Sequence, residues 1–198
     1  ARAFSAQNLA YLIYTSGSSG KPKAAAIQHG SLSNYLSWAY GYYRSFEGAG
    51  SPVNTSISFD ATITSIWLPL ISGKYVNFLP MENEMDALHD LLASCQDLSL
   101  VKLTPAHISI LKERLDPQHL AHQARVLVIG GEALRSESIQ LWLDHAPQTR
   151  LINEYGPTET VVGCSVYQAS KHDRIEKDVS IGQPIANTQI YILDDALN

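Results

Sequence analysis

Short apolar, β-branched runs alternate with longer stretches of helical periodicity along almost the whole chain. That alternation predicts βαβ units and an α/β fold, because each helical crossover returns the chain to lay the next strand parallel to the last. Strands are expected at 9–14, 53–56, 74–79, 98–103, 125–129, 150–153, 164–168 and 188–193. Helices are expected at 31–43, 60–71, 84–94, 105–114 and 136–145, each with Ser, Asp or Thr near its start and Gly, Pro or Asp near its end. The expected fold is mixed, largely parallel sheets flanked by helices, with a β-rich C-terminal end. A polar, charged stretch at 170–178 reads as a surface loop before that end. With 198 residues, 45% of them hydrophobic, the chain can bury one sizeable core or two smaller ones.

The first strand run feeds Tyr14-Thr-Ser-Gly-Ser-Ser-Gly-Lys-Pro-Lys23. Backbone N–H groups, hydroxyls and ammonium groups crowded into one loop suit anionic phosphate oxygens. The loop is not the G-x-x-x-x-G-K-[ST] signature, because Pro22 follows Gly20-Lys21 and the hydroxyl that would meet magnesium there is missing. Three further segments carry chemistry. Asn153-Glu-Tyr-Gly-Pro-Thr-Glu-Thr160 packs an amide, an aromatic ring, two carboxylates and two hydroxyls around a Gly-Pro turn. Gly130-Gly131-Glu132 ends an expected strand, where open α/β sheets place ligands and where paired glycines admit a flat ring or a phosphate; a plain turn is the alternative. Ser58-Phe59-Asp60-Ala61 sets an acid at a helix start, and a simple cap is the alternative there.

A net charge of −5 and the lack of a Lys/Arg cluster beyond the loop argue against nucleic-acid or membrane-surface partners and favour small molecules. No apolar run approaches the roughly 20 residues of a membrane span. Cys95 and Cys164 are far apart without metal or redox spacing, which predicts reduced interior thiols, as in a cytoplasmic protein. The seven histidines are scattered without metal-ligand spacing and are given no role.

Taken in order and spacing, Tyr14–Lys23, Ser58–Ala61, Gly130–Glu132, Asn153–Thr160 and Ile181–Ile192 resemble the adenylate-forming, AMP-binding enzymes, in particular the adenylation domain of nonribosomal peptide synthetases. The resemblance runs through essentially the whole chain. It implies ATP-dependent activation of an amino acid as the aminoacyl adenylate, with pyrophosphate released. Transfer to the phosphopantetheine thiol of a carrier protein follows, in a synthetase that also carries condensation domains. By resemblance, Thr15, Ser16, Gly17, Ser18, Ser19, Gly20, Lys21 and Lys23 would hold the β- and γ-phosphates. Gly131 and Glu132 would edge the adenine pocket, Tyr155 and Gly156 would lie against the ring, and Asn153 would bond its exocyclic amine. Thr158 would touch the α-phosphate, and Glu159 would help hold Mg2+. Ala24 and Ser19 depart from the family's usual glycine and threonine, and neither change removes a donor.

The matching substrate-pocket positions are Asp60, Ala61, Thr64, Lys102, Val128, Gly130, Glu154, Val162 and Gly163. Asp60 matches the family's partner for an α-ammonium group, which favours amino acids over fatty or aryl acids. Lys102 sits in the apolar run Leu98–Leu103 and needs a partner, for which Glu154 is the natural candidate. One ammonium donor beside one carboxylate acceptor complements a carboxamide, so asparagine or glutamine is expected, asparagine first; a purely structural Lys–Glu pair is the alternative. The resemblance also implies that residues 1–198 are a fragment of the large N-terminal lobe, with an upstream part and a small C-terminal lobe absent, and that the fragment alone is inactive. An acyl- or aryl-CoA ligase of the same superfamily and a non-catalytic nucleotide-binding module are the rival functions.

Overall fold

The computed structural model describes residues 4–15, 21–94, 96–173, 177–194 and 196. It begins with an antiparallel pair, β1 (Leu9–Thr15) and β2 (Lys23–Gln28), in which Thr15 faces Lys23. β2 is absent from the sequence expectation, because three successive alanines carry little strand propensity. Pairing with β1 decides the matter, and the buried Ala25 and Ile27 alternate with exposed neighbours as a half-buried strand requires. The phosphate-type loop is therefore a hairpin connection, of which Ser16, Gly17, Ser18, Ser19 and Gly20 lie outside the described residues.

Helix α1 (His29–Tyr42) leads to β3 (Gly50–Val53), which pairs in parallel with β4 (Tyr75–Phe78) across helix α2 (Ala61–Ile71). α2 ends on a left-handed Gly73, whose N–H bonds Leu70 O while Lys74 N–H bonds Pro69 O. That pair of bonds satisfies the orphan carbonyls of the last turn, and glycine takes the positive φ without a Cβ penalty. Helix α3 (Glu84–Ala93) follows. Thr104 then caps helix α4 (Pro105–Arg114) in a capping box with His107, and Pro105 occupies the first helical turn, where its missing N–H costs nothing.

The rest builds one mixed sheet: β5 (Val101–Leu103), β6 (Val126–Gly130), β7 (Arg150–Tyr155), β8 (Ser165–Ala169) and β9 (Gln183–Pro184), adjacent in that order. β5, β6 and β7 are parallel, whereas β8 and β9 join antiparallel. Helix α5 (Ser136–His145) crosses from β6 to β7. The run Val126–Gly130 is buried throughout, as a central parallel strand covered on both faces must be. Its residues divide between two cores: Leu127 and Ile129 pack with Leu88, Ile108 and Trp142 from α3, α4 and α5, while Val126 and Val128 pack with Tyr35, Ala39 and Leu68 from α1 and α2.

The expected α/β class, with mixed, largely parallel sheets between helices, describes this arrangement. The strand expected at 188–193 does not form. No strand lies beside it among the described residues to take its ladder bonds, and Tyr191 and Ile192 are 71% and 98% exposed. Only Val101–Leu103 of the run 98–103 is strand proper, Leu98 making an isolated bridge to Ala124. Cys164 is a buried free thiol, and Cys95 lies outside the described residues. Among the described residues no helix is long and apolar enough to cross a membrane.

Candidate functional site

Lys102, Gly130 and Glu154 stand near the carboxyl ends of β5, β6 and β7: Gly130 is in register with Glu154, and Lys102 with Val128, two residues before Gly130 on the same face of the sheet. The crevice outside such strand ends is where open α/β sheets bind ligands. A cavity of about 450 Å³ occupies it. Nine of the residues singled out in the sequence line this one space: Asp60, Ala61, Lys102, Gly130, Gly131, Glu132, Glu154, Gly156 and Val162.

Strand alternation explains why β7 carries polar groups inward here. Ile152 and Glu154 face the α1/α2 core, and Leu151 and Asn153 the opposite side. Asn153 is 4% exposed, and its amide donates to Val179 O at 3.2 Å and Ser180 O at 2.9 Å, which fixes the side chain and leaves its carbonyl oxygen as an acceptor. Glu154 is 3% exposed. Its Oε1 accepts hydrogen bonds from Tyr35 at 2.9 Å and Tyr43 at 2.6 Å, and its Oε2 forms an ion pair with Lys102 Nζ. A carboxylate and an ammonium buried together are tolerable only when paired in this way.

Burial pulls the Lys102 ammonium down toward about 7, opposed by the Asp60 carboxylate; direct pairing with Glu154 favours the charged form. Asp60 stands before the first residue of α2 but makes no side-chain cap bond. Burial pushes its carboxyl above the ordinary value, against the lowering effects of Lys102, the Thr158 hydroxyl and the Ala61 amide. Its Oδ2 is buried without a hydrogen-bond partner among the described residues. The nearby Tyr11 hydroxyl is likewise buried and unpartnered, its pKa raised to about 12 by burial and by the Asp60 charge.

Other expected site residues stand off the cavity wall. Thr64 is fully buried and bonds Tyr35 through its hydroxyl at 2.6 Å, and Val128 is a core residue. Gly163 lies behind Glu154: a Cβ there would meet Glu154 Cγ and Cδ at 2.5 Å, so only glycine leaves room for that carboxylate. Gly130 is similarly constrained, since a Cβ would meet Glu154 O at 2.5 Å. Tyr155 is 48% exposed, and the exposed Glu159 stands on a single 3₁₀ turn, Thr158–Thr160, packed beside β2, where it lines a separate hollow with Gly30, Asn34 and Thr188. After the turn, Val161 and Val162 both adopt the left-handed conformation, with φ of 64° and 68°, which is strained for β-branched residues.

Two groups escaped the sequence reading. Tyr35 and Tyr43 are spaced as one helical stripe with Ala39, all three nearly inaccessible. That spacing is visible in sequence, and a buried phenol needs a partner, but the partner lies more than a hundred residues away. His107, given no role above, lines the cavity beside Thr104 and Glu84; its Nε2 lies 2.7 Å from Glu84 Oε1.

A family model described as AMP-binding enzyme matches residues 1–198. The chain belongs to the AMP-binding enzyme family. It is 39% identical over 191 residues to tyrocidine synthase 3 of Brevibacillus parabrevis, covering 96% of this chain and 3% of that protein. It is 40% identical over 191 residues to bacitracin synthase 3 of Bacillus licheniformis, covering 96% of this chain and again 3% of the relative. PA1221, an NRPS protein containing adenylation and PCP domains, superposes with a TM-score of 0.82 at 29% identity, over 99% of this chain and 39% of its own. The Vibrio cholerae adenylation domain AlmE, solved in complex with glycyl-adenosine-5'-phosphate, superposes with a TM-score of 0.79 at 26% identity, over 91% of this chain and 34% of its own. This AMP-binding enzyme chain thus spans a small part of the synthases it matches and about a third of those structures.

Proposed function

We propose that this chain belongs to an enzyme that activates an amino acid, asparagine in the first instance, as its aminoacyl adenylate. One observation carries the amino-acid part: Asp60 presents a buried carboxylate oxygen with no partner at the wall of the cavity. An anion held there at a cost in desolvation is stabilised by a cation, and the α-ammonium of an amino acid supplies one. A fatty or aryl acid would not, which disfavours the acyl- or aryl-CoA ligase alternative.

In the reaction, a carboxylate oxygen of the amino acid bonds to the α-phosphorus of ATP as the bond to the bridging oxygen breaks, and pyrophosphate leaves. Charge builds on the transferred and departing phosphates, so catalysis consists mainly of positioned donors and cations. Thr15, Lys21 and Lys23, together with Ser16–Gly20, would bind the β- and γ-phosphates, and Thr158 the α-phosphate. Gly131, Glu132, Tyr155 and Gly156 would frame the adenine, with Asn153 accepting from its exocyclic amine. Among the described residues no group of three or more His, Cys, Asp and Glu side chains could hold a metal by itself. A single carboxylate such as Glu159 nevertheless suits magnesium, which keeps its waters and is bound through one or two carboxylates and the substrate's phosphates. When bound, the ion neutralises phosphate charge. The carrier's phosphopantetheine thiol then attacks the acyl carbon, forming the thioester as AMP leaves. The likeness to PA1221, with its adenylation and PCP domains, supports a carrier domain as partner, and the buried free Cys164 suits a cytoplasmic setting.

The preference for asparagine rests on counting lone pairs. A carboxylate has about four acceptor sites and an ammonium three donors. In Glu154, Tyr35 and Tyr43 occupy Oε1 and Lys102 takes one site on Oε2, leaving one acceptor at Oε2 beside the remaining donors of Lys102. A carboxamide offers the matching N–H and C=O, whereas an aspartate side chain would set its charge against Glu154. Glu154→Leu in the intact parent protein should abolish asparagine-dependent ATP–pyrophosphate exchange. Retained exchange in that variant would refute the assignment.

A further inference from the structure

We propose that Tyr35 and Tyr43, at the far side of Glu154 from the cavity, are positioning residues that set the pocket's choice of a carboxamide over a carboxylate. The proposal rests on the carboxamide reading above and adds two residues from a helix that does not line the cavity.

Glu154, 3% exposed, hangs from β7 at the wall of the cavity. Four titratable groups surround it: Tyr35 from α1, Tyr43 from the C-cap of that helix, Lys102 from β5 and, beyond Lys102, Asp60 at the start of α2. The two phenol hydroxyls converge on the same oxygen, Oε1, at 2.9 and 2.6 Å. Tyr35 is itself fixed by Thr64 at 2.6 Å, so its hydroxyl is tied at both ends. Gly163 leaves the carboxylate its room, since a Cβ there would stand 2.6 Å from Oε1. Saturating Oε1 in this way leaves Oε2 alone to face Lys102 and a ligand, which fixes both the direction and the number of acceptors presented.

The hydroxyls also fix the charge state. Both phenols are held well above their ordinary pKa, chiefly by burial, so they remain protonated donors at every working pH. Two donors to the ionised form of a carboxyl favour that form. If they are removed, the buried carboxyl takes up a proton more readily, Oε2–H becomes a donor, and an aspartate side chain then fits where it was repelled.

The test is ATP–pyrophosphate exchange by the intact parent protein with asparagine and with aspartate, comparing wild type with Tyr35→Phe, Tyr43→Phe and the double variant. Phenylalanine keeps both rings in the core and deletes only the hydroxyls. Each single variant should narrow the asparagine-over-aspartate ratio of kcat/KM about tenfold or more, the scale of a hydrogen bond to a charged group. The narrowing should deepen as the buffer is acidified, a pH signature that loosened packing would not produce. ATP affinity should stay at the wild-type value. If the double variant does not fold, Tyr43→Phe alone carries the test. A wild type that prefers asparagine alongside variants with an unchanged ratio and pH profile overturns the proposal alone. A wild type that turns over neither asparagine nor glutamine overturns the carboxamide reading and this proposal with it.

Discussion

Replacing Gly163 with alanine probes whether the Glu154 carboxylate is truly held where the ion pair and the two phenols converge. An added Cβ would stand 2.5 Å from Glu154 Cγ and Cδ and 2.6 Å from Oε1, well inside van der Waals contact, so one side must move. The backbone cannot yield easily, because Gly163 follows two valines already in the left-handed region and its N–H bonds Val161 O at 2.8 Å. The carboxylate would move instead. Overpacking of this kind costs about 1–3 kcal/mol, and full separation from Lys102 would approach the ~3–5 kcal/mol of a broken buried pair. A loss of about 3 kcal/mol in unfolding free energy is therefore expected for Gly163→Ala, read as a shift of the urea midpoint at unchanged slope. Much of that loss should vanish in a Glu154→Ala background, where the Cβ meets nothing at those positions. A cost below about 0.5 kcal/mol, or a double-mutant cycle with no coupling, would refute the placement of Glu154.

Asp60→Asn should separate stability from function. Burial raises the Asp60 carboxyl above its unfolded value, so the folded protein releases this proton less readily than the unfolded chain. The resulting cost is fully present above the raised folded pKa and disappears as pH falls through the window down to the unfolded value. Asparagine at this position should thus raise the melting temperature at neutral pH, with the advantage shrinking on acidification, while amino-acid-dependent exchange is lost; a melting temperature that falls at neutral pH would contradict the buried, unpartnered oxygen. Thr104→Ala removes the N-cap acceptor of α4 and should cost about 1 kcal/mol in chemical denaturation. A neutral outcome would mean that His107 and water replace the cap.

The elements most legible in the sequence were those whose own pattern decides them. The all-apolar run Val126–Ile129, bounded by Gly130-Gly131, declares a central strand, and the five helices announce themselves by period, although only α4, behind Thr104, carries a side-chain N-cap. β2 was illegible because Lys23-Ala-Ala-Ala-Ile-Gln28 becomes a strand only through its partner β1. The opposite error at 188–193 has the same cause: Ile190, Tyr191 and Ile192 have the right propensities but no neighbouring strand to pair with among the described residues. At the site, nine expected residues converge on one cavity because Gly130 and Glu154 close the carboxyl ends of β6 and β7, Asp60 and Ala61 open α2, and the segments that follow the strands carry the rest to the same crevice. The Lys102–Glu154 pair is the one the resemblance suggests, since it sets both residues among the pocket positions and Lys102 in an apolar run needs a partner; the structure joins the two. Tyr35 and Tyr43 were not foreseen, because their role depends on contacts that span more than a hundred residues.

The central claim is that the cavity between Asp60, Lys102 and Glu154 reads a carboxamide amino acid. ATP–pyrophosphate exchange by the intact parent protein, run across all the proteinogenic amino acids and a set of fatty and aryl acids, tests it most directly. Asparagine should lead, with aspartate and the apolar amino acids far behind and no response to acids lacking an α-ammonium group. Exchange led by an apolar amino acid or by a fatty acid would contradict the account.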